Sequence, residues 1–89
     1  MQHLNMKKEL SIALGKVIKR LRDENNQSSR NIAYGVNLSK TTLLLAEKGQ
    51  LDPQLSTFCK LATAFYKTPT EFINLVINEL PFKWDEYES

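Results

Sequence analysis

The stretch from Ser28 to Gly49 constrains this chain more than any other. It holds two short segments of helical pattern, each opened by a serine, separated by a turn of three or four residues that contains Asn37, and closed by Gly49. Ser28 is placed to cap the first segment, its hydroxyl accepting from backbone N–H groups that a helix start leaves without partners. Ile32 and Val36 then share one helical face, with Ala33 beside them. Ala33 is small enough to let two helices approach closely, without the helix cost of glycine. Asn37 follows the last apolar residue of the segment, and asparagine tolerates the left-handed backbone in which many helices end. Ser39 caps the second segment, whose first residues Lys40, Thr41 and Thr42 are polar. Leu43 and Ala46 lie three apart and face inward, and Gly49 supplies the exit. Two capped helices joined by a short turn make a helix-turn-helix.

The remainder of the chain reads as further helices around one core. Leu10, Leu14, Val17, Ile18 and Leu21 form a single apolar stripe, outside which fall Lys16, Lys19, Arg20 and Asp23. Gly15 interrupts this helix at a cost of ~1 kcal/mol relative to alanine, which implies that something packs closely there. Asp23 to Gln27 is polar throughout and reads as helix exit and loop. After Gly49, Asp52 and Pro53 read as cap and first residue of another helix, with Leu55, Phe58, Leu61, Ala62 and Phe65 inward. Thr68, Pro69 and Glu71 spell a capping box with proline at the first helical position, starting a last helix that reaches to about Leu80. That helix is apolar on more than one side, and a monomer would leave part of it wet. Ile73, Ile77, Leu80 and Trp84 are therefore expected at a homodimer contact. Pro81 stops the helix, and residues 81–89 form an aromatic, acidic tail that packs back or reaches a second subunit. The expected division is an N-terminal extension at 1–9, a domain at 10–80 and this tail.

Composition narrows the function. Eighty-nine residues make one domain with a single modest core, and an apolar fraction of 42% argues against disorder. The lone Cys59 excludes an internal disulfide and a cysteine-rich metal site, and reads as small core filler. His3 has no second histidine to join it, and there is no Gly-rich phosphate loop or carboxylate pair placed for acid/base work. No enzyme, cofactor or metal is expected. The longest uninterrupted apolar run, Leu43 to Ala46, cannot span a bilayer, and no signal peptide is evident, so a cytoplasmic protein is expected. The net charge of +2 hides an asymmetry: residues 1–50 carry nine Lys and Arg against four Asp and Glu, whereas residues 51–89 carry three against six. The basic half contains the helix-turn-helix, the polarity expected if one face meets phosphate.

The chain resembles the phage-repressor (Cro-like, lambda-repressor-like) helix-turn-helix family. Ala33, Ser39, Leu43, Glu47 and Gly49 fall at that family's spacings, as do Leu14, Gly15, Ile18, Leu21 and Arg22 upstream. Downstream, Pro53, Leu55, Phe58, Leu61, Ala62, Ala64, Phe65 and Phe72 continue the match, which covers roughly residues 10–75. The resemblance implies an all-α, compact five-helix domain and a sequence-specific transcriptional regulator. It would repress as a homodimer on a palindromic operator in double-stranded DNA. It also implies an ion pair between Arg22 and Glu47, tying the first helix to the end of the recognition helix; a guanidinium suits this role better than an ammonium.

In that family's mode the second helix of the motif presents its N-terminal residues to base edges. Lys40 and Thr41 lead, lysine suiting guanine O6 and N7 and the threonine methyl suiting thymine, with Ser39 and Thr42 able to do either and Leu45 able to point into the groove. Ser28, Ser29 and Arg30 are expected near phosphate at a helix N-terminus, with Lys19 and Arg20 as further phosphate contacts. Four positions depart from the family: Ser29 stands where glutamine is common, Lys67 where a small apolar residue is usual, and Leu44 and Leu45 where polar residues are usual. A leucine touches a thymine methyl but cannot hydrogen-bond to a base edge. Exposed leucines also suit a protein partner, so the alternative is a protein-interaction module or antitoxin-like partner on the same fold, using Leu44, Leu45 and the last helix.

Overall fold

The computed structural model describes residues 5–25, 31–32 and 35–83. Among these are four helices, α1 (Met6–Glu24), α2 (Lys40–Glu47), α3 (Leu55–Ala64) and α4 (Pro69–Asn78), and no strand. The first half of the expected helix-turn-helix is described only at Asn31, Ile32, Gly35 and Val36; the first three have helical backbone, with Ile32 buried, and Val36 is half-buried in the turn that follows. The Ser28 cap and Ala33 lie outside the described residues.

Asn5 starts α1 by accepting from the Lys8 backbone N–H at 3.1 Å. Its first turn, Met6–Glu9, thus occupies much of the expected extension. At the other end α1 continues through Asp23 and Glu24, which were expected in a loop. A polar run there marks a solvated helix end, because Arg, Asp and Glu oppose helix only weakly. The face of α1 carrying Leu14, Val17, Ile18 and Leu21 is buried, and Ile32, Leu43, Ala46, Leu61, Ala62, Phe65, Phe72 and Val76 complete the core. Phe72 sits among other rings, with Phe58 at 5.1 Å and Phe65 at 6.3 Å between centroids. Full burial of such a side chain contributes roughly 1.5–3 kcal/mol.

The junction of α1 with α2 depends on two glycines. A Cβ on Gly15 would lie 2.7 Å from the Ala46 carbonyl oxygen, 2.8 Å from that of Glu47 and 2.9 Å from the Gly49 nitrogen. Gly49 itself has φ +73°, and a Cβ there would meet the Ile12 Cα at 3.1 Å. Helix α2 therefore ends against the backbone of α1, and its last turn closes with two crossed bonds. The Gly49 N–H donates to Ala46 O at 3.1 Å and the Gln50 N–H to Leu45 O at 3.0 Å. This is the glycine-terminated Schellman arrangement.

Two expectations downstream need correction. Helix α3 begins at Leu55, not Pro53, with Gln54 as its N-cap in extended conformation and no side-chain cap. Proline fixes φ but not ψ, and Leu51, half-buried against the core, anchors a non-helical run through 51–54. Leu55 consequently stands at the first helical position, 80% exposed, and does not join the inward stripe. Helix α4 starts as expected from the capping box: the Glu71 N–H donates to Thr68 Oγ1 at 3.1 Å and the Thr68 N–H to Glu71 Oε1 at 2.8 Å. It ends at Asn78, earlier than expected, and the chain then turns so that Leu80 is buried and Phe82 packs against the core.

Candidate nucleic-acid interface

The turn ahead of α2 is set by Asn37, whose φ of 57° places it in the left-handed region. Leu38 packs against the core, and Ser39 follows with extended backbone, its hydroxyl accepting from the Thr42 N–H at 3.0 Å. The Ser39 and Thr42 hydroxyls also bond each other at 2.7 Å. The Ser39 hydroxyl thus satisfies a backbone donor at the helix start that would otherwise lack a partner, and it holds the Thr42 hydroxyl beside it.

The two sides of α2 differ sharply. Leu43 and Ala46 are fully buried. Lys40, Thr41, Leu44, Leu45 and Lys48 are exposed, and at successive spacings of one, three, one and three they form one continuous face. Leu44 is 39% and Leu45 36% exposed, in the middle of a face with a lysine at each end. About 12 Å of helix axis separates the two lysines.

Arg22 fixes the far end of α2 from α1. Its Nε and NH2 donate to Glu47 Oε1 at 3.0 and 2.9 Å, so the guanidinium forks onto a single carboxylate oxygen. Both side chains are largely withdrawn from solvent, at 26% and 11% exposure, which protects the pair from screening. Asp23 lies 3.9 Å from Arg22 NH1 as a weaker neighbour. Gly15 and Arg22 share one stripe of α1 against α2, seven residues apart, and the exposed Lys19 lies between them on that stripe.

The remaining expected site residues fall in different places. Arg20 turns from α2 and meets Glu79 beyond α4 at 3.3 Å, an exposed ion pair that competes with any phosphate contact. Of the expected dimer residues, Leu80 is taken up by the domain's own core because the chain folds back after α4, Ile77 is half-buried and Ile73 is 37% exposed. Ile73 and Leu55 help line an open apolar groove of about 510 Å³ between α1, α3 and α4. Ser28, Ser29, Arg30 and Trp84 lie outside the described residues. The Arg20–Glu79 pair was missed in the sequence because it joins residues 59 positions apart and carries no local signature.

No protein-family model matches this chain, and no curated protein matches it in sequence. Solved structures do. The chain is similar to the restriction-modification controller protein C.Esp1396I, solved as a tetramer in complex with its natural 35 base-pair operator: TM-score 0.71, 21% identity, covering 79% of this chain and 92% of that one. It is also similar to the restriction-modification controller protein C.AhdI from Aeromonas hydrophila: TM-score 0.65, 27% identity, covering 70% of this chain and 94% of that one.

Proposed function

We propose that this chain is a Cro-like, lambda-repressor-like DNA-binding regulator and not an enzyme: a cytoplasmic homodimer that represses transcription by occupying a palindromic operator. Asn31, Ile32 and Gly35 belong, in this reading, to the helix that completes a five-helix domain. The observation that carries the proposal is the face of α2. One side of an eight-residue helix is locked into the core by Leu43 and Ala46, while the other projects Lys40, Thr41, Leu44, Leu45 and Lys48. The likeness to a controller protein solved on its operator supports the same use. Two copies would place their α2 helices in major-groove segments about 34 Å apart, one helical turn of DNA.

Lys40 and Thr41 take the base edges, with Leu45 deeper along the helix. Ser39 and Thr42 serve the helix start first, since their hydroxyls are already bonded there. Lys19 is the phosphate contact from α1, with Ser28, Ser29 and Arg30 at the preceding segment; Arg20 is engaged by Glu79 and does not join them. Ile73, with Leu55, offers exposed apolar surface for the second copy.

Selection from a randomised duplex pool tests this. An enriched inverted repeat, with sequence preference relaxed by Lys40→Ala and Thr41→Ala, is expected. Weak retention without enrichment, unchanged in both variants, would discard the proposal. It would favour the second reading, a protein-interaction module, which rests on the exposure of Leu44 and Leu45.

A further inference from the structure

We infer that Leu44 and Leu45 are specificity determinants that read the 5-methyl group of thymine in the operator's major groove. This inference rests on the DNA-binding reading above. Four features point to it. First, Leu44 and Leu45 lie between Lys40 and Lys48 along the exposed side of α2, 39% and 36% exposed, so a surface that meets both lysines also covers them. Second, Lys40 and Lys48 flank them at opposite ends of that face, and Lys19 lies on the stripe of α1 that packs against α2. The complementary surface is therefore anionic at its edges and apolar in its middle. A major groove has that form wherever its floor carries thymine: phosphates line the walls and the 5-methyl projects from the base edge.

Third, the polar groups of this face lie on either side of the leucines. The Ser39 hydroxyl is oriented by the Thr42 N–H and hydroxyl at the helix start, and Lys40, Thr41 and Lys48 are the exposed polar side chains around Leu44 and Leu45. At the two positions that Leu44 and Leu45 occupy no hydrogen bond to a base edge is available, so discrimination there comes through apolar contact. Fourth, the helix is held rigidly enough for shape to matter. Gly15 admits the α2 backbone closely, and the Arg22 fork fixes Glu47 at the end of the helix. A leucine on a sliding helix would cover any base alike; one on a fixed helix favours the base that fills the gap beneath it.

The probe is the duplex enriched from the randomised pool, with each thymine of one half-site replaced in turn by deoxyuridine. That change keeps every hydrogen-bonding group and removes only the methyl. At one or two positions binding should weaken by about three- to fivefold, the loss of one buried methyl group. The same replacement should have no effect on Leu44→Ala or Leu45→Ala protein at the position each leucine covers. Both side chains are partly exposed and outside the buried core, so each variant should still melt cooperatively as a folded protein. The inference is overturned if an operator is enriched and relaxed by Lys40→Ala, yet binds equally well with every thymine replaced. If no duplex is enriched, the DNA-binding reading itself fails and this inference falls with it, leaving the leucines to a protein partner.

Discussion

Substituting Gly15 with alanine puts the α1–α2 junction to a quantitative test, because two opposing effects of known size act at one atom. Alanine is a better helix residue than glycine by about 1 kcal/mol, and an exposed mid-helix glycine would gain that stability. Here the added Cβ would fall 2.7, 2.8 and 2.9 Å from three backbone atoms of Ala46, Glu47 and Gly49. None of these is the end of a side chain that could swing aside, so α2 must retreat by about 0.5 Å or more to restore ordinary contact. Overpacking of this kind costs about 1–3 kcal/mol, and a clash with backbone on three sides belongs in the upper part of that range. The net expectation is a loss of about 1–2 kcal/mol, or roughly 4–15 °C in Tm for a domain of this size. Urea denaturation followed by circular dichroism measures it, with Lys16→Ala, at an exposed position of the same helix, as the reference. Operator affinity should fall as well, because the displaced turn carries Glu47 and supports Leu44 and Leu45. A Gly15→Ala protein stabilised by about 1 kcal/mol would show that α1 and α2 do not cross at this residue, and would refute the argument from fixed helix geometry.

Three other consequences can be checked independently. Arg22→Lys keeps the charge but loses the fork onto Glu47 Oε1, and should cost about 1 kcal/mol by urea denaturation; an unchanged stability would show that the fork contributes nothing beyond the charge. Tyr66 is almost fully exposed and carries φ 60° just after α3, so Tyr66→Gly should stabilise the protein by about 1 kcal/mol in thermal melting; a loss would show that its ring makes contacts that outweigh the backbone strain. The Thr68 N–H, donating to Glu71, holds that carboxyl below its ordinary value of 4.5. A lowered folded value means the capping box contributes fully above the ordinary value and loses its contribution as pH falls through the folded one. Protection of the Thr68 amide, its exchange rate relative to that of the unstructured chain at the same pH, should fall in that acidic window, and Glu71→Gln should leave that protection independent of pH.

The parts of this structure that are legible in the sequence are those written in local chemistry. Asn37, Ser39, Gly49 and the Thr68–Glu71 box each announce a backbone conformation or a cap that depends on a few neighbouring residues, and each is found where its chemistry placed it. Gly15 is legible for a different reason: a glycine inside a good helix needs a packing partner, and the last turn of α2 is that partner. What is not legible depends on the rest of the chain. Leu55 lies on the stripe that leads to Phe58 and Leu61, but the late start of α3 leaves it beyond the core's edge. Leu80 reads as surplus apolar surface on a helix, whereas the chain turns after Asn78 and buries it. Tyr66 in the left-handed region has no sequence signature at all, since glycine or asparagine is the usual choice there. At the candidate interface, the exposure of Leu44 and Leu45 follows from the inward spacing of Leu43 and Ala46. The bond that ties the Thr42 hydroxyl to the Ser39 cap emerges only from the geometry.

The central claim is that the α2 face binds DNA through a phosphate-lined groove, and the salt dependence of binding to the enriched duplex tests it most directly. Phosphate contacts release counterions, so affinity should fall by about two or three orders of magnitude between 50 and 200 mM salt, with a linear dependence of log K on log salt. The slope should become shallower by about two in Lys19→Ala, one phosphate contact being lost from each subunit of the dimer. An affinity that stays nearly constant over the same range, and is lost in Leu44→Ala and Leu45→Ala, would contradict the claim.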